Sequence, residues 1–506
     1  MPSKVFSAAI NGLDAKLVEV EVDVSHGLRS FSIVGLPDKA IEESKERIES
    51  AIKSSKLLSP HNRTFRILVN LAPADLKKEG SLYDLPIALA FLIASKQTNF
   101  NSQEKLFLGE LSLDGKLRSI KGALSFALMA QKEGLKEIIL PKQNAKEASL
   151  VKGIKIIGVE SLTEALAYLE NRISIESFLL KDEDLIQNQD NLVDIGWIKG
   201  QEYAKRALEI SAAGGHNLFF FGPPGGGKTL LAKSLPSILP PLTFSESLEV
   251  TKIYSVAGLL KDNQTLINNR PFRYPHHTLS EVALIGGGNP PRPGEMTLAH
   301  RGILFLDEFP EFHRDALESL RQPIEDGTIT VSRAKNTFTF PSRFTLIAAS
   351  NPCPCGFLNS PEKPCTCSPS QVAMYKRKLS GPLMDRIDIF IEVPAVKYEK
   401  LAAETGESQS HILRNKIIKA REIQKERFQS DKILVNSEMN IPEIKKYCVH
   451  DAKSQELLKK YVDSGKLSAR GYHRILKVAK TISDLEGSDN IQYAYIAGAL
   501  MYRIRD

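Results

Sequence analysis

The feature that most constrains this chain is a glycine-rich turn, Gly222-Pro-Pro-Gly-Gly-Gly-Lys-Thr229, between two apolar segments. The first segment is Leu218-Phe-Phe-Phe221 and the second is Leu230-Leu-Ala-Lys-Ser234. A strand, a glycine-rich loop and a helix in this order are typical of a phosphate-binding P-loop. The pattern predicts that Lys228 reaches the β- and γ-phosphates and that the Thr229 hydroxyl binds Mg²⁺. The loop residues expected to hold the nucleotide are Gly222, Pro223, Pro224, Gly225, Gly226, Gly227, Lys228 and Thr229.

A second apolar run, Ile303-Leu-Phe-Leu-Asp-Glu308, ends in two acidic residues. Such a strand is buried, and its last residues emerge at the carboxyl edge of the sheet, where α/β folds bind ligands. We expect Asp307 to hold Mg²⁺ and Glu308 to activate the water that attacks the γ-phosphate. With the P-loop, this pair predicts an ATPase that uses ATP and Mg²⁺.

The composition is ordinary for a globular protein of several domains, with 506 residues, 42% hydrophobic and 25% charged. The formal net charge of +7 permits contact with a polyanion without requiring it. The apolar run from Leu85 to Ala94 is too short to span a bilayer, and the first residues lack a signal core. We therefore expect a cytoplasmic protein without a membrane partner.

Two Cys-x-Cys pairs lie close together in the sequence, at Cys353, Cys355, Cys365 and Cys367. Four thiolates on two tight turns can surround one Zn²⁺, although the spacing is tighter than the usual Cys-x₂-Cys, and four protein ligands would make the site structural. The alternatives are two disulfides, which a cytoplasmic location disfavours, and unconnected cysteines. A zinc ion here, directly after Asn351, would brace that residue and the basic stretch Tyr375-Lys-Arg-Lys378.

A third apolar strand ends at Asn351, and Arg386 lies in the segment Gly381-Pro-Leu-Met-Asp-Arg-Ile-Asp388. Together with the P-loop and the acidic pair, these features resemble the AAA+ ATPases. The resemblance implies that Asn351 is the first sensor and that Arg386 is an arginine finger acting on a neighbouring subunit. It also implies a second sensor at Arg470, with Arg474 as the alternative. An ordinary Asp–Arg ion pair is the alternative for Arg386.

Two further elements narrow the resemblance to the YifB/ComM group of magnesium-chelatase-like proteins. The segment from His276 to Glu295 lies where these proteins carry an insert in helix 2. In residues 326–340, apolar and polar side chains alternate on both sides of Arg333-Ala-Lys335. This pattern predicts a β-hairpin with a basic tip. We expect Arg333 and Lys335 to contact DNA phosphates, the alternative being a solvated turn. For His276 and His277 we expect an insert contact or local hydrogen bonding rather than metal ligation.

The resemblance implies a hexameric ATP-driven motor that acts on branched or single-stranded DNA. Such a motor would migrate DNA branches or unwind DNA during homologous recombination or natural transformation. Its partners would be recombination proteins. The main alternative is an AAA+ remodeller of protein partners, related to magnesium chelatase or to chaperones. Metal insertion into a porphyrin and active proteolysis are weaker alternatives.

The resemblance also implies the domain organisation. Residues 1–172 would form an α/β domain like that of Lon protease (ribosomal S5 domain 2-like), followed by a linker at 173–195. An AAA+ P-loop core with a parallel sheet would occupy 196–396 and include the cysteine cluster at 353–367. A C-terminal helical lid would occupy 397–506.

The Lon-like domain is expected to lack peptidase activity. Aligned without gaps, the nucleophile of Lon proteases falls on Leu82 and their catalytic lysine on Leu124. Neither side chain can attack a carbonyl or accept a proton. Ser81 and Lys121 lie nearby and leave a shifted dyad as the alternative.

Overall fold

The computed structural model describes the chain except for residues 1, 63, 181–191, 262–263, 289–290, 333–336, 359–362, 380, 397–407, 432 and 504–506. The chain divides into two compact units. Unit 1 comprises residues 1–187 and 247–268, and unit 2 comprises residues 188–246 and 269–506. Among the described helices, none combines the length and the apolar character that crossing a bilayer requires.

Unit 1 is a mixed α/β structure. Its strands are β1 (Ser3–Asn11), β2 (Asp14–His26), β3 (Ser30–Val34), β4 (Phe65–Ala72), β5 (Lys105–Phe107), β6 (Glu110–Leu111), β7 (Leu117–Arg118), β8 (Glu137–Pro141) and β9 (Lys155–Val159). Its helices before residue 188 are α1 (Lys39–Ser54), α2 (Asp84–Ala94), α3 (Ala123–Lys132), α4 (Lys142–Ala148) and α5 (Leu162–Leu169).

The main sheet of unit 1 orders its described strands as β3-β4-β2-β1-β5-β8-β9. The pairs β1–β2 and β2–β4 are antiparallel, and the remaining neighbours are parallel. In β2 the alternating valines Val18, Val20 and Val22 are buried, as a strand with one face towards the core requires.

Unit 2 contains the P-loop. Its strands are β10 (Leu218–Phe221), β11 (Phe272–Arg273), β12 (Gly286–Gly287), β13 (Arg292–Pro293), β14 (Ile303–Leu306), β15 (Thr328–Ser332), β16 (Thr337–Pro341), β17 (Thr345–Ser350) and β18 (Ile389–Glu392). The helices from residue 202 onwards are α6 (Glu202–Gly214), α7 (Lys228–Ile238), α8 (Phe244–Ala257), α9 (Glu281–Ile285), α10 (Glu295–Leu298), α11 (Arg314–Glu318), α12 (Arg321–Asp326), α13 (Pro369–Arg377), α14 (Gly381–Met384), α15 (Ser410–Arg427), α16 (Ile441–Tyr447), α17 (Ala452–Asp463), α18 (Ala469–Leu485) and α19 (Tyr493–Met501).

The sheet of unit 2 is parallel, with the order β11-β14-β17-β10-β18 among the described strands. Its central strands are apolar and almost wholly buried, as is typical of a parallel sheet covered on both faces. Because the strands run the same way, their carboxyl ends meet at one edge. The P-loop follows β10 there, Asp307 follows β14 and Asn351 follows β17.

The C-terminal helices share the core of unit 2. Ile417 of α15 and Ile475 of α18 belong to the same hydrophobic cluster as Phe220 of β10.

The predicted hairpin is formed by β15 and β16, which pair antiparallel from Thr328 opposite Pro341 to Ser332 opposite Thr337. Its predicted tip, with Arg333 and Lys335, lies outside the described residues.

Residues 247–268, which start within α8, are part of unit 1. Thr251 accepts the Ile267 N–H on its hydroxyl at 2.9 Å. The Ser255 hydroxyl donates to the carboxylate of Glu147, whose pKa is raised by burial. These contacts fix the segment within unit 1, which its place in the sequence does not predict.

Candidate active site

The P-loop turns sharply between β10 and α7, and two glycines permit the turn. Gly227 lies directly before α7 with φ of 89°, a conformation that a Cβ atom disfavours. At Gly222 a Cβ atom would lie 2.1 Å from the carbonyl oxygen of Val393. The loop therefore ends at a helix N-terminus, whose first N–H groups lack intrahelical partners and suit an anion.

The Lys228 side chain connects the P-loop to the end of β17. Its Nζ donates to the carbonyl oxygens of Gly222 at 2.6 Å and Pro223 at 2.8 Å, and to Oδ1 of Asn351 at 3.1 Å. Burial lowers the pKa of Lys228 to about 8, and the Asp307 charge opposes that shift. The ammonium is therefore still largely protonated at pH 7 and can neutralise a phosphate.

Oxygen ligands suited to Mg²⁺ lie beside this lysine. The Thr229 hydroxyl donates to Oδ2 of Asp307 at 2.7 Å, and the Tyr274 hydroxyl donates to the same oxygen at 3.2 Å. Burial and the Asp307 charge raise the pKa of Tyr274, so the phenol stays protonated. A hydroxyl and a carboxylate next to a phosphate site fit Mg²⁺, which binds through one or two protein oxygens and substrate phosphates.

Glu308 adopts a left-handed backbone conformation, with φ of 50° and ψ of 42°. Such a conformation is strained for a residue with a Cβ atom and is frequent at functional sites. Its N–H donates to Oδ1 of Asp307 at 3.0 Å, and its Oε2 lies 3.2 Å from Nδ1 of His277. The carboxylate is half exposed, so water can reach it.

Arg386 is buried and turned towards its own subunit. Its side chain donates to Oε2 of Glu325 at 2.9 Å and to the carbonyl oxygen of Pro382 at 2.6 Å. The acidic neighbours of Arg386 in sequence, Asp385 and Asp388, are not its partners in these contacts. The partner, Glu325, lies on α12.

Arg470 lies at the opposite edge of the sheet from the P-loop. It is exposed in the first turn of α18 and lines a cavity of about 680 Å³ that Glu325 also lines. The same cavity is lined by Asn217 and Asp388, which precede β10 and β18. Because β10 spans four residues, the two edges are about 13 Å apart. The structure thus brings together five of the predicted site residues: Lys228, Thr229, Asp307, Glu308 and Asn351. It places Arg470, and Glu325 as the partner of Arg386, at the opposite edge of the sheet.

Arg474, the alternative second sensor, has a partner within the chain. It forms an ion pair with Asp388, whose Oδ2 accepts the Asn217 N–H at 2.9 Å. Burial alone would raise the pKa of Asp388, but the charge of Arg474 holds it well below its usual range. Arg474 therefore stabilises a buried carboxylate at the start of β18.

The four cysteines converge. Cys353 Sγ lies 3.4 Å from Cys355 Sγ and 3.7 Å from Cys365 Sγ, and the latter two sulfurs are 3.5 Å apart. With Cys367, all four sulfurs lie within 4.8 Å of one another. A tetrahedral zinc site with Zn–S bonds of about 2.3 Å has sulfurs about 3.8 Å apart, so the donor set fits Zn²⁺.

The cysteine cluster packs against the P-loop. A Cβ atom on Gly356 would lie 2.6 Å from Cδ of Pro224 and 3.9 Å from Cγ of Asn351. Because Gly356 directly follows Cys355, a shift of the cysteine cluster would move the residues that pack against the P-loop and the end of β17.

Sequence reasoning missed the parts that Tyr274 and His277 play in the site. Both follow β11, which pairs in parallel with β14 and so delivers them to the edge that holds Asp307. β11 is only two residues long, too short for its hydrophobic pattern to be recognised. In the sequence, the aromatic and histidine residues that follow Phe272 were the signal that could have indicated these two site residues.

In unit 1, the positions aligned with the Lon dyad contribute to packing. Leu124 is fully buried and Leu82 packs against the core. Ser81 donates its hydroxyl to the Glu110 carboxylate, and Lys121 is exposed. The absence of peptidase activity stays a prediction.

Comparisons with family models cover most of the chain. Residues 194–401 match the family described as "Magnesium chelatase, subunit ChlI". Residues 20–144 match "Subunit ChlI of Mg-chelatase", and residues 407–503 match "Magnesium chelatase, subunit ChlI C-terminal".

Similar proteins extend over the full length. The Competence protein ComM of Haemophilus influenzae is 42% identical over 99% of this chain and 97% of that protein. The Uncharacterized protein YifB of Escherichia coli is 41% identical over 100% of this chain and 97% of that protein. The DNA replication licensing factor Mcm2 of Drosophila melanogaster is 25% identical over 39% of this chain and 20% of that protein. The chain therefore belongs to the magnesium-chelatase-like AAA+ ATPases of the YifB/ComM group.

Proposed function

We propose that the protein is an ATP-driven motor that acts on branched or single-stranded DNA, with branch migration or helicase activity. The observation that carries this proposal is the hairpin β15–β16, whose second strand leads into β17 and so to Asn351 beside Lys228. A DNA-contacting hairpin in this place would be linked to the phosphate site. The name of one similar protein, a competence protein, supports a role in natural transformation. The name of another, a DNA replication licensing factor, supports work on DNA.

The site residues divide the work of hydrolysis. Lys228 neutralises phosphate charge, and Thr229 and Asp307 hold Mg²⁺, which when bound offsets charge on the phosphate oxygens. Glu308 accepts the proton of the attacking water. The Asn351 amide, which already contacts Lys228, positions that water.

The arrangement of the arginines favours a ring. Arg386 and Arg470 belong to the edge opposite the P-loop, so they can act only on the nucleotide of a neighbouring copy. We propose a hexamer in which Arg386 leaves Glu325 and contacts the γ-phosphate of the neighbour, with Arg470 as a second sensor. The C-terminal helices would form the lid, residues 1–172 a Lon-like domain without a protease dyad, and 173–195 a linker. We place the motor in the cytoplasm.

ATP turnover with and without a four-way DNA junction tests the DNA proposal. We expect the junction to stimulate the wild type and expect Arg333→Ala with Lys335→Ala to bring the stimulation ratio close to one, because phosphate contacts by cations supply sequence-independent affinity. Lys453→Ala with Lys459→Ala removes the same charge from exposed positions of α17 and should leave the ratio unchanged. If no DNA stimulates the wild type, a remodeller of protein partners becomes the better proposal.

We also propose that the cysteine cluster binds one structural Zn²⁺. Elemental analysis of protein purified without chelators should find one zinc per chain, and Cys365→Ser with Cys367→Ser should lose it. Because Gly356 packs on Pro224, this loss should weaken ATP binding severalfold. Cys448→Ala, at a buried cysteine outside the cluster, should retain both zinc and ATP affinity. Protein purified in this way but free of zinc would contradict the proposal.

A further inference from the structure

The cavity of about 680 Å³ in unit 2 has more cations than carboxylates in its wall. It lies between the edge of the sheet opposite the P-loop and the C-terminal helices. Among the described residues, seven lysine and arginine side chains line it: Arg270, Arg301, Arg343, Arg421, Arg470, Arg474 and Lys477. Five carboxylates line it: Glu246, Glu325, Asp326, Asp388 and Glu438. A volume of this size is typical of a pocket for a small molecule.

Most of these carboxylates already have a cationic partner. Four of the five pair with an arginine: Glu246 with Arg270, Glu325 with Arg386, Asp388 with Arg474 and Glu438 with Arg343. The fifth, Asp326, is exposed at the end of α12. The lining carboxylates therefore do not balance the charge of the remaining cations.

Arg421 of α15 and Lys477 of α18 carry part of this surplus charge. Nε and Nη2 of Arg421 donate to the carbonyl oxygen of Ala212 at 3.2 and 2.7 Å, and Nζ of Lys477 donates to the carbonyl oxygen of Ser437 at 2.8 Å. Both acceptors are uncharged. Burial lowers the pKa of Arg421 to about 9 and also lowers the pKa of Lys477, because a cation removed from water needs an opposite charge. A ligand with two negative charges would balance both side chains.

Two uncharged polar groups in the same wall lack partners. Oγ of Ser342, a residue that is 1% exposed, and Nδ1 of His473 are buried without a hydrogen-bond partner among the described residues. Folded proteins rarely leave such groups unpaired. Burial lowers the pKa of His473, so its imidazole is neutral and can carry a proton on Nδ1. A hydroxyl and an N–H in the same wall as two cations form a donor set that suits phosphate oxygens.

We propose that this cavity binds a small phosphate-bearing molecule whose phosphate group contacts Arg421, Lys477 and Ser342. A phosphate monoester carries a charge of about −1.5 to −2 at pH 7, which matches the two surplus cations. Ser342 is almost fully buried, so the site fits a free molecule better than a nucleotide held by a neighbouring subunit. The ligand would join the edge of the sheet to α15 and α18 and stabilise their packing. The inference does not depend on the proposed DNA motor.

Calorimetric titration of the full-length chain with inorganic phosphate tests the proposal. Lys228→Ala serves as the background, because the P-loop also binds phosphate. We expect one phosphate per chain. Lys477→Gln keeps a donor for Ser437 but removes the charge, and it should weaken phosphate binding about tenfold or more, the effect of losing one hydrogen bond to a charged group. Lys459→Gln, at an exposed position of α17, should leave the affinity unchanged.

Ser342→Ala provides a second variant that does not depend on a charge. Because the hydroxyl has no partner in the protein, this change should preserve the melting temperature without phosphate and weaken phosphate binding severalfold. The titrations use single chains, verified by sedimentation. Binding confined to rings that hold ATP would assign the phosphate to the nucleotide of a neighbouring subunit and overturn the proposal. Absence of saturable binding, or an affinity unchanged in both Lys477→Gln and Ser342→Ala, would also overturn it.

Discussion

Glu308→Gln is expected to bind ATP with an affinity close to that of the wild type and to hydrolyse it about 100-fold to 10,000-fold more slowly. Glutamine has nearly the same shape but cannot take a proton from water. Its amide oxygen can still accept the hydrogen bond from His277, and the contacts of Lys228 and Thr229 are untouched. Binding of a fluorescent ATP analogue and release of inorganic phosphate measure the two quantities separately.

The matched control is Glu311→Gln, a nearby acidic residue whose carboxylate is paired with Lys378 at 3.2 Å. That variant should hydrolyse ATP at close to the wild-type rate. Near-normal turnover in Glu308→Gln would show that another group activates the water. A loss of ATP binding in the same variant would show instead that Glu308 supports the pocket.

Arg386→Ala is expected to lower the rate of ATP hydrolysis about 1,000-fold or more while ATP binding is retained, because an arginine finger stabilises charge that develops only during phosphoryl transfer. Its guanidinium pairs with Glu325 within the single chain. As an arginine finger it would act on the nucleotide of a neighbouring subunit, and mixing variants can test this.

Two inactive variants should restore activity when they are mixed. In a ring containing both Arg386→Ala and Glu308→Gln chains, some interfaces combine an intact Glu308 with an intact Arg386 from the neighbour. Phosphate release should therefore rise well above that of either variant alone. A mixture as inactive as its components, although mixed rings form, would contradict a shared site.

The sequence predicts the parts of the site that are local in the chain. The P-loop and the pair Asp307–Glu308 each combine an apolar strand with the polar residues that directly follow it, so their position at the carboxyl edge follows from strand direction alone. The family resemblance is confirmed by relatives that match the full length. The roles assigned to Arg333 and Lys335 stay predictions, since both lie outside the described residues.

Other features depend on distant packing, which local patterns do not encode. The contact of Gly356 with Pro224 joins segments more than a hundred residues apart. The pairing of Arg386 with Glu325, rather than with a neighbouring aspartate, depends on α12 lying beside the segment between α14 and β18. The contact of His277 with Glu308 depends on a strand of two residues beside β14. In each case the sequence shows the residue types, but only the folded structure shows which residues they contact.

We propose that ATP hydrolysis at a site shared between neighbouring subunits moves DNA branches. The most direct measurement follows a four-way junction with fluorophores on its arms while purified protein and ATP are added. We expect the wild type to convert the junction into duplex products, and we expect no conversion by Glu308→Gln, which should still bind ATP. Conversion at the same rate by Glu308→Gln, or no conversion by a wild type that hydrolyses ATP, would contradict the proposed DNA motor.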